Sequence, residues 1–471
     1  MLDRPDVGSA ASGGGRPVAE ATTDRIDGLS GLQATIAAAE DETAELVRRH
    51  RESLFPSVGL NYDEPIELRR GERQYVYDAL GRQYLDFFGG IATVSSGHAI
   101  PEINDAIKAQ LDRITHTSTL FLIRSQIELA ERIRAMTPPK LNKVLFVNSG
   151  TEANEAAFLI TTLARNSNEL VALRHSYHGR SFATINASGQ TPWRSSTLSP
   201  LHVHYVGNPY CYRCPWEKTY PSCGLLCARD VESVIRTTTS GNPAAFVAEP
   251  IQGVGGFIVP PPEYFQEVKA ILDKHGIPFV CDEVQTGWGR IGAADFGFQA
   301  FGVEPDVVVF AKGIANGVPI GGLIATDDLA SSIRSLSLST FGGNPLATTA
   351  ALANLNHIVT HNLRENARRV GTYLRERLWD LAERHHVIGD VRGMGLLVAV
   401  ELVHDRTTKE PAPEIALAVM NAAKERGLIV GKGGLYASTL RLCPPLIVTE
   451  SDVDAAVETL DAAFSTVPRP A

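Results

Sequence analysis

Through the middle of the chain, short runs of apolar residues alternate with amphipathic stretches. Val144 to Val147 is followed by a helical pattern from Thr151, Phe246 to Ala248 by one from Pro262 to His275, and Phe279 to Cys281 and Val307 to Phe310 are two further apolar runs. Continuous apolar runs of this length suit strands buried on both faces, and strands repeatedly separated by helices predict an α/β domain with a mostly parallel sheet. Beyond about Asn354 the pattern changes to a long charged helix, a strand pair punctuated by Gly393 and Gly395, and two more helices, the signature of a smaller α+β lobe. Gly31 to Phe55 has helical spacing, with Leu32, Ile36, Ala39, Leu46 and Val47 on one side. The Gly, Ser, Ala and Pro of Gly8 to Pro17 have no apolar period and cannot offset their ordering entropy. The predicted organisation is therefore a flexible tail over 1–30, a segment over 31–85 joining the small lobe, a large domain over 86–350 and a small C-terminal domain over 351–471.

With 471 residues, 44% of them hydrophobic, the chain can bury a large core. A formal net charge of −9 argues against a nucleic-acid partner. No apolar stretch is long enough for a bilayer-spanning helix, so no membrane association is expected. Met1 to Asp27 interleaves Asp3, Asp6, Glu20, Asp24 and Asp27 with few basic residues, unlike a secretory or mitochondrial leader, and the cytoplasm is the expected compartment. Small-molecule chemistry is the leading class.

Three features carry that chemistry. An apolar strand runs directly into Ser149-Gly150-Thr151-Glu152, a capping box whose free backbone N–H groups and helix dipole suit a phosphate. Asp282 stands at the C-terminal end of a buried strand, where open parallel sheets bind ligands. Lys312, one of ten lysines, ends the run Val307 to Ala311, where it either packs its stem on the strand and reaches its head to water or, desolvated, has a lowered pKa that favours attack on a carbonyl. An anion hole, a carboxylate and an amine are what pyridoxal 5′-phosphate requires.

The chain resembles the class III aminotransferases, pyridoxal-phosphate enzymes of fold type I. The resemblance runs from about Tyr75 to about Thr449 and includes Asn148-Ser-Gly-Thr-Glu-Ala-Asn-Glu155, Tyr177-His-Gly179, Glu249-Pro-Ile-Gln-Gly253, Asp282-Glu-Val-Gln-Thr-Gly-Trp-Gly-Arg290, Lys312-Gly313 and Thr340-Phe-Gly-Gly-Asn-Pro345. It implies that Lys312 forms the Schiff base and shuttles the substrate proton, and that Asp282 holds the pyridinium. It further implies that Tyr177 and Val284 cover the two ring faces, with Gln285 near the phenolic oxygen. Ser149, Gly150 and Thr151 would bind the phosphate, and Thr340 would reach the phosphate of a neighbouring subunit, making a homodimer, or a dimer of dimers, the active assembly. His178 and Glu249 match family positions near the cofactor.

By the same resemblance, Arg441 clamps a substrate carboxylate and Ile91 lines the substrate side. Family members acting on 4-aminobutyrate or ornithine read Gln-Gly-Glu after Glu-Pro, and that glutamate can pair with the arginine. Here the segment reads Gln252-Gly253-Val254. Val254 offers no counter-ion, so the arginine stays available to small keto acids, which likens the chain to the alanine–glyoxylate and ω-amino-acid:pyruvate branches. The expected function is a ping-pong transaminase joining an amino donor to a 2-oxo acid acceptor. The alternatives are a 2-oxoglutarate-dependent 4-aminobutyrate or ornithine transaminase, an aminomutase or decarboxylase on the same fold, a nicotinamide oxidoreductase, and a non-catalytic metal-stapled binding protein.

Cys211, Cys214, Cys223 and Cys227 lie in a Pro- and Tyr-rich insertion and leave metal, disulfides and free thiols open; no metal is assigned to the catalytic site. Cys281 and Cys443 are expected in the core. Gly287-Trp-Gly-Arg-Ile-Gly292 satisfies a dinucleotide-binding string, but no helical pattern opens after it. His202, His204, His385 and His386 lack carboxylates at ligand spacing and are expected on the surface or in loops.

Overall fold

The computed structural model describes residues 41–467. The expected tail over 1–30 and the first ten residues of the helix expected from Gly31 lie outside the described residues. Two compact units divide the chain, one running up to Arg69 and including Asp78–Arg82, the other made of Arg70–Tyr77 and Gln83 onward. In the first, residues 41–53 are helical. Arg48 pairs there with Glu45 and Glu52, each at 2.6 Å, the i,i+3 and i,i+4 spacing at which helical neighbours face one another.

The second unit is an α/β fold. A small leading sheet orders β1 (Leu68–Glu72), β2 (Tyr75–Asp78), β3 (Gln83–Asp86) and β13 (Leu428–Ile429), the last running parallel to β3. The large sheet is made of β4 (Leu141–Val147), β5 (Glu169–Leu173), β6 (His202–Val206), β7 (Ala245–Ala248), β8 (Phe279–Asp282), β9 (Val307–Phe310) and β10 (Gly321–Thr326), in the order β4-β10-β9-β8-β7-β5-β6. Six of the seven strands point the same way, and β10 alone runs against them, antiparallel to both β9 and β4. Strands β7, β8 and β9 are buried at every position. Apolar side chains with helices on both faces account for that.

The helix Gly150–Arg165 covers β10 and β9, burying Ala153, Ala157, Phe158 and Ile160 in one cluster with Val247, Val280 and Val309. Farther along, the helix Leu363–Arg384 packs on β11 (Ile388–Met394). That strand belongs to a sheet ordered β11, β12 (Leu397–Leu402), β15 (Thr439–Leu442), β14 (Gly431–Gly433). Large-sheet strands thus end at Asp282 and just before Glu249 and Lys312, while β15 carries Arg441.

Candidate active site

The phosphate-cradle candidate begins with Ser149, whose extended backbone (φ −154°, ψ 164°) caps the helix Gly150–Arg165. Its hydroxyl accepts from Glu152 N at 3.2 Å, and Glu152 in return accepts from Asn148 N at 3.2 Å. The first four N–H groups of a helix have no partner within it. Ser149 satisfies that of Glu152, and its carbonyl takes that of Ala153, which leaves those of Gly150 and Thr151 for an anion beside the positive end of the dipole. A Cβ at Gly150 would meet Val284 Cγ2 at 3.1 Å, and one at Gly179 (φ +140°) would meet Thr151 Oγ1 at 2.7 Å. Side chains at these two positions would fill the space around the helix end.

Asp282 is 3% exposed. Its Oδ2 accepts from Asn154 Nδ2 at 2.8 Å and contacts His178 Nδ1 at 2.7 Å, and its Oδ1 accepts from Val284 N at 3.1 Å. Asn154 also donates to the carbonyls of Gly150 (3.2 Å) and His178 (3.0 Å). One amide thereby ties the helix start, the Tyr177–Gly179 turn and the strand-end carboxylate together. Asn154 stands one turn into the helix, so the sequence quotes it without revealing this role.

Tyr177 is partly buried and its ring meets Trp193 edge-on at 5.4 Å; burial raises its phenol pKa. Its N–H donates to Glu249 Oε1 at 3.0 Å, while Glu249 Oε2 accepts from Gly253 N at 2.7 Å. Burial, reinforced by the nearby Asp282 charge, pushes the Glu249 carboxyl up to about 7 despite these two bonds and the favourable field of His178.

Lys312 follows β9 with φ +45°. Desolvation first, and then the positive charge of Arg441, pushes its amine down to about 8, which enlarges the nucleophilic neutral fraction near neutral pH. Asn354 fixes this turn by donating to the carbonyls of Gly313 and Ile314, each at 2.8 Å, and is itself held by Ser96 Oγ at 2.7 Å.

Arg441 is 3% exposed on β15. It donates to Gln285 Oε1 at 2.9 Å, and its guanidinium lies 4.7 Å from the Phe257 ring centroid. Among the described residues no carboxylate lies within ion-pair distance of Arg441, though the Glu249 charge acts on it from farther off, and its buried Nε has no hydrogen-bond partner. Val254, 7% exposed, approaches the same place: its carbonyl accepts at 2.9 Å from Gly434 N, just past β14, which pairs with β15. Ile91 is exposed, at φ +67°, in a turn tied down by Cys443 N donating to Phe87 O at 2.8 Å. Thr340 is exposed beside Ser339, whose hydroxyl accepts from Asn148 at 3.3 Å.

The remaining sequence candidates divide. Gly287 to Gly292 opens no helix, and Trp288 and Arg290, each 2% exposed, fill the turn. Trp288 packs edge-on against Phe296 at 5.0 Å and Phe310 at 5.5 Å, a core position that leaves no nucleotide cradle. Cys281 and Cys443 are fully buried, as expected. His385 departs from expectation, because Asp461, 76 residues away in sequence, lies 2.5 Å from its Nε2; His204 likewise lies 3.5 Å from Glu169. The four insertion cysteines are free thiols lining one cavity of about 20 Å³, and no three of them converge within 4.8 Å. Glu401 anchors this insertion by accepting from Tyr210 Oη and, at 2.5 Å, from Arg213 Nε.

The sequence profile of the class III aminotransferases matches residues 59–464. The chain is 40% identical over 421 residues to an alanine–glyoxylate aminotransferase 2 homologue of Arabidopsis thaliana named as mitochondrial, covering 89% of this chain and 87% of that protein. It is 34% identical over 427 residues to a leucine/methionine racemase of Thermococcus litoralis, covering 90% and 96%. Among solved structures, an amine transaminase from an uncultivated Pseudomonas species in its pyridoxal-phosphate-bound form superposes with a TM-score of 0.83 at 31% identity, covering 88% of this chain and 98% of that one. The residues here fit that cofactor: unpaired N–H groups at a helix start for the phosphate, a buried carboxylate held by Asn154 and His178, and an amine with a depressed pKa.

Proposed function

The chain belongs to the class III aminotransferases, pyridoxal-phosphate-dependent transaminases, and on that premise we propose that it passes an amino group from an amino acid or ω-amine to a small 2-oxo acid, pyruvate or glyoxylate. One observation carries the choice of acceptor. Among the described residues, buried Arg441 has no carboxylate at ion-pair distance, the Glu249 charge acting on it only from farther off, and Val254 occupies the neighbouring loop. A desolvated guanidinium in this setting is a docking point for a small carboxylate. The relative from Arabidopsis, named for alanine and glyoxylate, supports this substrate class.

When bound, pyridoxal 5′-phosphate supplies the electron sink for the substrate's reacting carbon. We assign the chain's own work as follows. The N–H groups of Gly150 and Thr151 hold the phosphate, and the Asp282 carboxylate keeps a proton on the ring nitrogen. Asn154 and His178 hold Asp282 in place. Tyr177 and Val284 confine the ring, and Gln285 bridges from that side to Arg441. Lys312 Nζ takes and returns the substrate proton, its pKa of about 8 matching proton transfer near neutral pH. The turn carrying Ile91 borders the substrate side.

Arg441→Ala is expected to lower kcat/KM for pyruvate and glyoxylate about 30-fold or more, since losing a charge-assisted bidentate contact costs roughly 2 to 5 kcal/mol. The first half-reaction with an amine lacking a carboxylate should change less than about threefold. Val254→Glu should weaken the same keto acids by pairing with Arg441. Steady-state kinetics of both half-reactions check this, and equal losses for both substrate types would remove Arg441 from the clamp. The racemase relative motivates a second outcome on the same residues, one needing no amino acceptor; turnover of amino donor alone would favour it.

We also propose a homodimer, with Thr340 serving the neighbouring subunit's site. Leu120, Phe121 and Leu122 are 72%, 68% and 93% exposed, and Leu336 and Phe341 are 94% and 60% exposed. His116 and Phe341, 5.2 Å apart between ring centroids, bring the two segments together, and clustered exposed apolar side chains of this kind mark an interaction surface. Leu122→Asp should shift sedimentation from dimer to monomer; an unchanged dimer contradicts this surface assignment. Among the described residues no helix is long and apolar enough to cross a membrane.

A further inference from the structure

On the side of the molecule where the helix Pro101–Leu111 packs against the helix Pro345–Thr360, a cleft of about 590 Å³ is lined by Glu102, His357, His361 and Arg73, among others. Residues four apart on a helix share a face, and the His357 and His361 rings lie 4.1 Å apart between centroids. Glu102, in the first turn of the facing helix, brings its Oε2 to 3.9 Å from His357 Nδ1 and its Oε1 to 3.8 Å from His361 Nε2. One ligand atom from each of the three residues falls within 4.8 Å of the others. None of these residues has a role in the transamination described above.

His357 makes the cluster more than a surface ion pair. Its side chain is 8% exposed, and its buried Nδ1 has no hydrogen-bond partner. A buried ring nitrogen without a partner is costly, and both carboxylate contacts are longer than hydrogen bonds. Two imidazoles and one carboxylate converging on a solvent-open point satisfy the ligand preferences of first-row divalent metals, and waters would complete the coordination.

We propose that Glu102, His357 and His361 form a binding site for a divalent transition-metal ion, which clips the two helices together. The site has a structural reach. Asn354, which holds the Lys312 turn, precedes His357 by one turn of the same helix.

Ni²⁺, which suits imidazole and carboxylate ligands, is the probe, titrated by calorimetry into the untagged holoenzyme. Wild type should bind one equivalent per chain. His361→Ala and Glu102→Gln, both at exposed positions that leave the fold intact, should each weaken binding at least about tenfold, whereas Cys214→Ser should leave it unchanged. At a hundredfold excess over Kd, Ni²⁺ should raise the Tm of wild type by about 3 °C and that of His361→Ala by much less. Absence of saturable binding at Ni²⁺ concentrations up to about 1 mM would overturn the site. So would affinity that survives both His361→Ala and Glu102→Gln, or that is lost in Cys214→Ser.

Discussion

Lys312→Ala should abolish transamination, lowering kcat by at least about 10⁴-fold, because one amine serves both as nucleophile and as proton carrier. The fold should survive, since Asn354 holds the turn through the carbonyls of Gly313 and Ile314 rather than through the lysine side chain. Far-ultraviolet circular dichroism and mass analysis after borohydride reduction check both halves: secondary structure intact, covalently retained cofactor gone. Wild type carries a matching pH signature. With the amine pushed down to about 8, the rate at which apoenzyme captures pyridoxal phosphate should climb as pH rises through about 8 and level off above it, as the protonated fraction disappears. A rate still climbing through the usual lysine range would show that burial and Arg441 do not depress this amine.

Asp282→Asn should lower kcat about 10³-fold, since a neutral amide cannot stabilise a protonated ring nitrogen and preorganised electrostatic groups carry effects of this size. A smaller structural cost accompanies it. Asp282 Oδ2 meets Asn154 and His178 while Oδ1 accepts from Val284 N, so an amide that keeps its oxygen toward the first two turns an N–H donor toward the third. One lost buried hydrogen bond costs about 1 to 3 kcal/mol, which thermal melting reads separately from kcat. A variant with lowered Tm and undiminished kcat would leave Asp282 as a purely structural residue.

The strand-end chemistry was legible because its physics is local. Apolar runs ending at Asp282 and Lys312 mark strands buried on both faces, and the Ser149 cap marks a helix start within four residues. Sequence spacing could not reveal partnerships made through folding. Gln285 reaches Arg441 across 156 positions, and His385 reaches Asp461 across 76. The antiparallel direction of β10 was likewise hidden, because a buried strand has the same composition in either direction. The dinucleotide-like string shows the converse limit: its glycines match, but Trp288 and Arg290 are core side chains that fill the turn. Ile91 and Thr340 are exposed in the single chain, and their family resemblance alone brings them to the site.

The acceptor preference of wild-type enzyme tests the central claim most directly. Holoenzyme saturated with one amino donor is offered pyruvate, glyoxylate and 2-oxoglutarate in turn, and kcat/KM is measured for each. Arg441, with no carboxylate at ion-pair distance among the described residues, predicts turnover that requires an acceptor and favours pyruvate or glyoxylate over 2-oxoglutarate by about tenfold or more. A wide preference for 2-oxoglutarate, or turnover independent of any keto acid, would contradict it.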